Sequence, residues 1–547
     1  MTKYIGSRSR SRHLDRAVAD HVFVKVSTIS GVEICRDMWP KNSRVRAVMR
    51  QVSSTWTSLK QARVRCILVR GGVQLSPSML LGDLRSDGVL NLQSILSWKS
   101  DRSWRSFINR DNCPALAAIK EDGSVIIWGH AASGGESASV ASALSSGVGE
   151  VVGNGRAFAA IKDDGSVVTW GDARAGGDSA SVAAALSSGV REVVKARCAF
   201  AAIKEDGSVA TWGDDKCGGD STSVAAALGS GVHKVVGCDD AFAAMKRDGS
   251  VVTWGHENMK RDGLVVTWGH ENIGGRGASI AAALSSGVCE VVQSDQAFAA
   301  VKKDGSVVTW GYDDFGGDSS SAAGALSSGV REVVGNGFAF AAIKADGSVV
   351  TWGDAEDGGD NASVVDALSS GVREVVGARA AFAAIKEDGS VVTWGDEEFG
   401  GDSASVAAAL RSGVHEVVGA VSAFAAIKED GSVVTWGDEE FGGDSASVAA
   451  DLRSGVHEVV ANTLAFAAIK EDGSVITWGS AESGGDSASV AGALRKGVRE
   501  VVPADHAFAA VKENGSVVTW GRADCGGDSD SVSAALGKSV VKVQSLG

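Results

Sequence analysis

The residues of this chain that could do chemistry are numerous but do not converge. Nine histidines are present. His130, His256 and His270 follow a Trp-Gly pair, His233, His415 and His457 sit in valine-rich runs, and the rest are single. None has a Cys or Ser partner at the spacing of a nucleophile and its base. Acidic pairs such as Glu387-Asp388 recur and would suit acid–base work if they faced one bond, but each lies in an Asp-Gly turn, where Asp serves the turn itself. Gly-Gly-Asp recurs as well, without the short, strict glycine period of calcium-binding corners. No glycine-rich loop ends in the Lys-Ser or Lys-Thr that cradles phosphate. Cys35, Cys66, Cys113, Cys198, Cys217, Cys238, Cys289 and Cys525 contain no Cys-x-x-Cys, and only Cys217 and Cys525 share a place, five residues after a Trp. That pattern predicts scattered free thiols in a reducing compartment, with no disulfide framework and no zinc site. The expectation is a non-enzyme with no catalytic residues, no metal and no cofactor, acting through its surfaces.

Those surfaces are set by a repeat. Trp128, Trp170, Trp212, Trp254, Trp310, Trp352, Trp394, Trp436, Trp478 and Trp520 are spaced by 42 residues, except for one gap of 56 between Trp254 and Trp310. The extra 14 residues are a tandem copy: 259–272 repeats 245–258 with only Ser250 and Leu264 differing. A fixed period of this length signals stacked supersecondary units. Because the register resumes afterwards, the copy is expected to be absorbed locally.

Within one unit, 381–422, two short apolar runs, Ala381 to Lys386 and Ser390 to Trp394, are joined by Glu387-Asp388-Gly389. Asp-Gly between apolar runs predicts a hairpin, since Gly accepts the positive φ of a tight turn. Both faces of these strands are apolar, which predicts burial between stacked sheets with the Trp filling the space between them. A short helix or helical turn is expected over Ser403 to Leu410, and a third strand over Val414 to Val418. The chain opens its repeats on the hairpin strands at Ala115 to Trp128 and ends on a lone third-strand sequence, Val540 to Gln544. Closure is therefore expected, with Val541 and Val543 beside Leu116 to Ile119.

The elements AFAAIKEDGSVVTWG and VHEVVG, in ten copies from about Ala115 to Gln544, resemble the RCC1-type repeat, and more closely the short-repeat, β-lactamase-inhibitory propellers of that type. The fold implied is mainly β, an RCC1-like β-propeller or propeller-like array of ten 42-residue repeats over 113–547. Gly-Gly-Asp replaces the family's Gly-Gln-Leu-Gly, and ten units exceed its common seven.

Ahead of the repeats, HVFVKVSTISGVEI, SRVRAVMRQV and RCILVRGGVQLSPSMLLGDLRSDGVLNLQSIL follow the order β-β-α-β-β and resemble ubiquitin. The resemblance implies an α+β (β-grasp) domain over 21–97, after a disordered basic arm over 1–20 and before a linker over 98–112. It also implies that Val69 lies on the sheet face that such folds use for partners. No Gly-Gly tail follows Leu96, so conjugation is not expected.

Charge divides the chain. Residues 1–110 carry 20 Lys+Arg against 7 Asp+Glu, net +13, and 111–547 carry 33 against 60, net −27; the two sum to −14. The acidic repeats disfavour nucleic-acid binding. The start lacks a secretory core and no run approaches a membrane span, so a cytoplasmic or nuclear protein is expected.

Comparison of the ten copies separates frame from surface. The hairpin turn hardly changes, whereas the segment after Trp-Gly (DARA, DDKC, YDDF, DAED, DEEF, SAES, RADC) and the segment before the next Ala-Phe (GNGR, KARC, GCDD, GNGF, PADH) vary freely. In an antiparallel meander both fall on one edge, which predicts a binding face. Its expected anchors are Tyr312, Phe315, Phe338, Phe399 and Phe441, with Asp396, Glu397, Glu398, Asp438, Glu439 and Glu440 around them. The function expected is a non-enzymatic protein-interaction scaffold, with a ubiquitin-pathway adaptor related to the non-catalytic part of HERC-type ligases as its specific form. The alternatives are guanine-nucleotide exchange on a small GTPase and proteinaceous enzyme inhibition.

Overall fold

The computed structural model describes residues 21–28, 33–40, 64–70, 73–74, 89–98, 115–135, 137–255, 280, 282–537 and 539–545, those before 115 by backbone alone. The chain divides into two compact units at 102/103. The expected basic arm, the linker beyond residue 98, the helical segment at 43–52 and the duplicated 259–272 lie outside the described residues.

The first unit contains β1 (His21–Thr28), β2 (Glu33–Pro40), β3 (Val64–Arg70), β4 (Val73–Gln74) and β5 (Val89–Trp98). They form one sheet in the order β2-β1-β5-β3-β4, in which β1 runs antiparallel to β2 and parallel to β5. Val69 is on β3, in register with Gln74 and Gln93.

The second unit is a propeller-like array of ten three-stranded antiparallel sheets. In blade 7, strand A (Val372–Gly377) pairs with strand B (Ala381–Lys386), which pairs with strand C (Val391–Gly395). The B–C turn is the expected one: Gly389 has φ of 75°, and the Asp388 carboxylate accepts from both the N–H and the hydroxyl of Ser390. A Cβ on Gly389 would lie 2.7 Å from the Gly413 nitrogen of the next blade. Gly389 also accepts the Val414 N–H across that junction, and Glu387 donates to Gly371. The hairpin is constant because it is wedged against its neighbour.

Strand alternation builds the core. Phe382 stacks on its cross-strand partner Trp394 at 5.3 Å, and both pack against Ala339, Ala341 and Ile343 of blade 6. Ala381, Ala383 and Ile385 face blade 8. The Trp394 indole donates to the Gly358 carbonyl of the preceding blade at 3.1 Å. The same Trp-to-Gly bond recurs at Trp170, Trp212, Trp254, Trp352, Trp436, Trp478 and Trp520. Gly is required there: Gly358 has φ of 102°, and a Cβ would come within 2.7 Å of the Phe382 ring.

The ring closes. The last strand, Val540–Ser545, completes blade 1 by pairing with Ala115–Lys120, Val543 opposite Ala118. Trp128 donates to Gly526 at 3.0 Å, so the first and last repeats are joined by the same Trp-to-Gly bond. Blades 4 and 5 meet through the usual contacts, Val288 N–H to Gly249 and Val251 N–H to Leu284, on either side of 256–279. Trp310 has no indole partner among the described residues; the matching glycine, Gly274, lies outside them.

The expected helical turn over Ser403 to Leu410 is present as two 3-10 turns, Ala404–Val406 and Ala409–Arg411, and in blades 3, 9 and 10 the second of them is a short α-helix, Ala225–Leu228, Ala491–Leu494 and Ser533–Leu536. One expectation needs correction. The thiols are not all free, since Cys525 is disulfide-bonded, to a partner outside the described residues. Spacing along the chain does not report which thiols the fold brings together.

Candidate functional site

Two positions of the repeat converge on the edge of the ring that carries the variable segments. One is the residue just before strand B, the other the fifth residue after the Trp. Their side chains meet between blades: the Phe315 and Phe338 rings are 5.3 Å apart, Ser483 Oγ and His506 Nδ1 are 3.0 Å apart, and Cys217 Sγ reaches Asp240 Oδ1 at 3.6 Å. Strands A of adjacent blades touch one another, so the two positions alternate around the ring as one annular track.

The frame beneath the track does not depend on what it displays. Asn336 is 2% exposed. Its amide donates to the Asp357 carbonyl at 2.7 Å, while its Oδ1 accepts the N–H groups of Phe338 and Ala339. Asn154 and Asn462 make the same three bonds in their blades. A belt of backbone bonds links seven successive blade junctions, from Arg197 to Asp239, Asp239 to Asp295, Asp295 to Gly337, Gly337 to Arg379, Arg379 to Val421, Val421 to Thr463 and Thr463 to Asp505. Backbone bonds carry no side-chain requirement, so this rim can vary without loss of the ring.

The sequence-predicted residues fall on this face but not in one group. Tyr312, Phe315 and Phe338 form a cluster, Tyr312 edge-on to Phe315 at 6.3 Å, and the Arg379 guanidinium lies 5.4 Å above the Phe338 ring. All three rings are half-buried, and Asp313 and Asp314 beside them are exposed. Phe399 and Phe441 stand two and three blades further on; Phe399 packs against the core cluster of Ala378, Leu410 and Trp436, and Phe441 is half-buried. Glu397, Glu398, Glu439 and Glu440 are exposed. Asp396 and Asp438 are occupied locally, accepting the N–H of Glu398 at 2.7 Å and of Glu440 at 2.9 Å. In the turn between Phe315 and Phe399, burial pushes the Asp357 carboxyl up to about 6, and the neighbouring Asp354 and Asp396 act in the same direction. The acidic face is dense enough for its carboxylates to oppose one another's ionisation.

The recurrent groups that invited chemistry have structural occupations. The Asp of Gly-Gly-Asp caps a 3-10 turn, as Asp402 does for Ala404 at 2.7 Å. The hairpin Asp388 is held below the usual carboxylate value by the Ser390 hydroxyl and then by its N–H. Among the described residues no three His, Cys, Asp or Glu side chains are grouped to hold a metal, and no described helix is long and apolar enough to cross a membrane.

Sequence reasoning missed the buried asparagines and a β-bulge. Asn154, Asn336 and Asn462 each stand three residues before the first alanine of strand B, a recurrence hidden among variable neighbours. In all ten blades the A–B register slips by one residue at the second position of strand A. In blade 7 the extra residue is Arg373, which reaches the His415 carbonyl of blade 8 at 2.6 Å; Arg331 and Arg499 clasp their next blades likewise.

No family model matches the chain, and no curated protein matches it. Solved structures resemble it more distantly. The computationally designed protein Ika8 shares 14% identity over 59% of this chain and 93% of its own, at a TM-score of 0.26. Prp20p of Saccharomyces cerevisiae shares 15% over 60% of this chain and 81% of its own, at 0.28. Human WBSCR16 shares 13% over 60% and 90%, at 0.30. Likenesses at such scores carry no argument about this chain, and the propeller-like architecture rests on its own strand pairing and closure.

Proposed function

We propose that the repeat ring is a non-enzymatic protein-interaction platform whose partner docks on the annular track, anchored at Tyr312, Phe315 and Phe338. The observation that carries this reading is the division of labour within each repeat. The hairpin edge is held by backbone contacts that exclude other side chains, while the opposite edge is fixed by Asn336-type bonds and a backbone belt that leave its side chains free to differ. Half-buried aromatic rings in a rigid acidic surround suit a partner that offers apolar side chains ringed by Lys or Arg.

The test is capture by the full chain against a variant with Phe315→Ala and Phe338→Ala. Partner capture should weaken about tenfold or more, as expected when anchor residues are truncated, with a smaller fall in thermal midpoint than a buried Trp→Ala change gives, because both rings are only half-buried. A variant that binds normally, or that loses binding only in proportion to unfolding, would contradict the reading.

The adaptor form of this proposal adds the N-terminal unit. Its support is the strand order β2-β1-β5-β3-β4 with β1 parallel to β5, the order a ubiquitin-like fold needs. Exchange on a small GTPase and enzyme inhibition use the same track. They separate from simple scaffolding in one assay, since only an exchange factor accelerates nucleotide release and only an inhibitor lowers a captured enzyme's turnover.

A further inference from the structure

Cys198 and Cys217 are successive side chains of the track within one blade. Cys198 immediately precedes strand B (Ala199–Lys204) and Cys217 follows strand C (Val209–Gly213). Two backbone bonds draw them together: Asp214 donates its N–H to the Cys198 carbonyl at 2.8 Å, and the Asp214 carbonyl accepts the Cys217 N–H at 2.9 Å. Cys198 packs on the hydrophobic cluster that contains Cys217. Cys198 is half-buried and Cys217 is 3% exposed. Both are free thiols.

The surroundings distinguish the two sulfurs. The adjacent Cys217 sulfur holds the Cys198 thiol below its usual value, with Arg156 and Arg197 adding to it against burial and Asp214. Cys198 is the more accessible sulfur, and Cys217 lies buried behind it in the place of a resolving thiol.

We propose that Cys198 and Cys217 form a redox-sensitive dithiol that a hydroperoxide converts to a disulfide within blade 3. The Cys198 thiolate attacks one peroxide oxygen, the O–O bond breaks, and a sulfenic acid forms as the other oxygen leaves as water after taking up a proton. The Cys217 sulfur then attacks the sulfenic sulfur, the S–O bond breaks, and its thiol proton leaves with the hydroxyl as a second water. Two thiols and one hydrogen peroxide give one disulfide and two waters. Because the Cys217 S–H is consumed, its bond to Asp240 is lost, leaving that carboxylate with Arg197 at 3.7 Å. Oxidation therefore alters the charged rim between blades 3 and 4.

The test is a peptide map of the full chain after hydrogen peroxide, alkylation and non-reducing trypsin digestion. The tryptic peptides Cys198–Lys204 and Cys217–Lys234 should appear linked and should separate on reduction. The exposed Cys289 serves as the internal reference, and Cys198 should be lost to alkylation several-fold sooner. In Cys217→Ser, Cys198 should instead become reactive to dimedone, whereas in Cys198→Ser, Cys217 should remain a thiol. Absence of the linked pair in the unsubstituted chain while both cysteines oxidise separately, or a Cys198 no faster than Cys289, would overturn the proposal without reference to either variant.

Discussion

Trp394 shows how much one side chain carries. It stacks on Phe382, fills the gap to blade 6, and donates its indole N–H to Gly358. Trp394→Ala removes the ring and leaves a cavity between two stiff sheets, so it should cost about 3 to 5 kcal/mol, read as a lower midpoint in denaturant titration. Asp357 gives the opposite sign. Its folded carboxyl is raised to about 6 by burial and by Asp354 and Asp396, so the neutral form is favoured in the fold and its contribution is lost as pH rises through about 6. Asp357→Asn stays neutral. It should unfold at a higher temperature than the unsubstituted chain at about pH 7.5, with the gap closing at about pH 4. Equal gaps at both pH values would show that Asp357 is not the strained group.

At the scale of the element, two glycines separate conformation from space. Gly324 is helical, with φ of −62°, and nothing lies within 4 Å of a Cβ added to it. Gly324→Ala should therefore stabilise by about 0.4 to 1 kcal/mol by narrowing the unfolded ensemble. Gly389→Ala must hold a left-handed residue against the Gly413 backbone and should destabilise by more than about 1 kcal/mol. Thermal unfolding of the two variants, one rising and one falling, checks the pair. The hairpin, the two-sided strands and the Trp between sheets were legible because each is written in local pattern: Asp-Gly, alternating apolar residues, a Trp every 42 positions. The bulge at Arg373, the belt through Gly337 and Arg379, and the pairing of Cys198 with Cys217 were not. The belt depends on which backbones a neighbouring blade brings close, and the bulge and the approach of the two cysteines depend on strand register and turn geometry that apolar periodicity does not record. The face was visible as variability, but its locally occupied Asp396 and Asp438 could not be told from exposed Glu397 and Glu439 without the N–H groups they cap.

For the repeat unit as a whole, closure makes the rest possible. A terminal strand A with unpaired backbone would be an aggregation-prone edge, whereas here Val540–Ser545 completes the sheet begun at Ala115, and the Trp–Gly bond continues from blade 10 into blade 1. The ten-blade ring exceeds the usual range of roughly 4 to 8 blades. Its stability does not demand a large core per blade, since each sheet is buried between two others and adds the same few contacts. One measurement reaches this claim directly. Lys542 Nζ lies 3.7 Å from Glu150 Oε1, at opposite ends of the array in sequence and on adjoining blades in the ring. A zero-length carbodiimide crosslink on the full chain, mapped by mass spectrometry at low protein concentration, should join Lys542 to Glu150 within one molecule. A map in which Lys542 is never joined to Glu150, while other close lysine–carboxylate pairs in the array are captured, would mean that the ring is open.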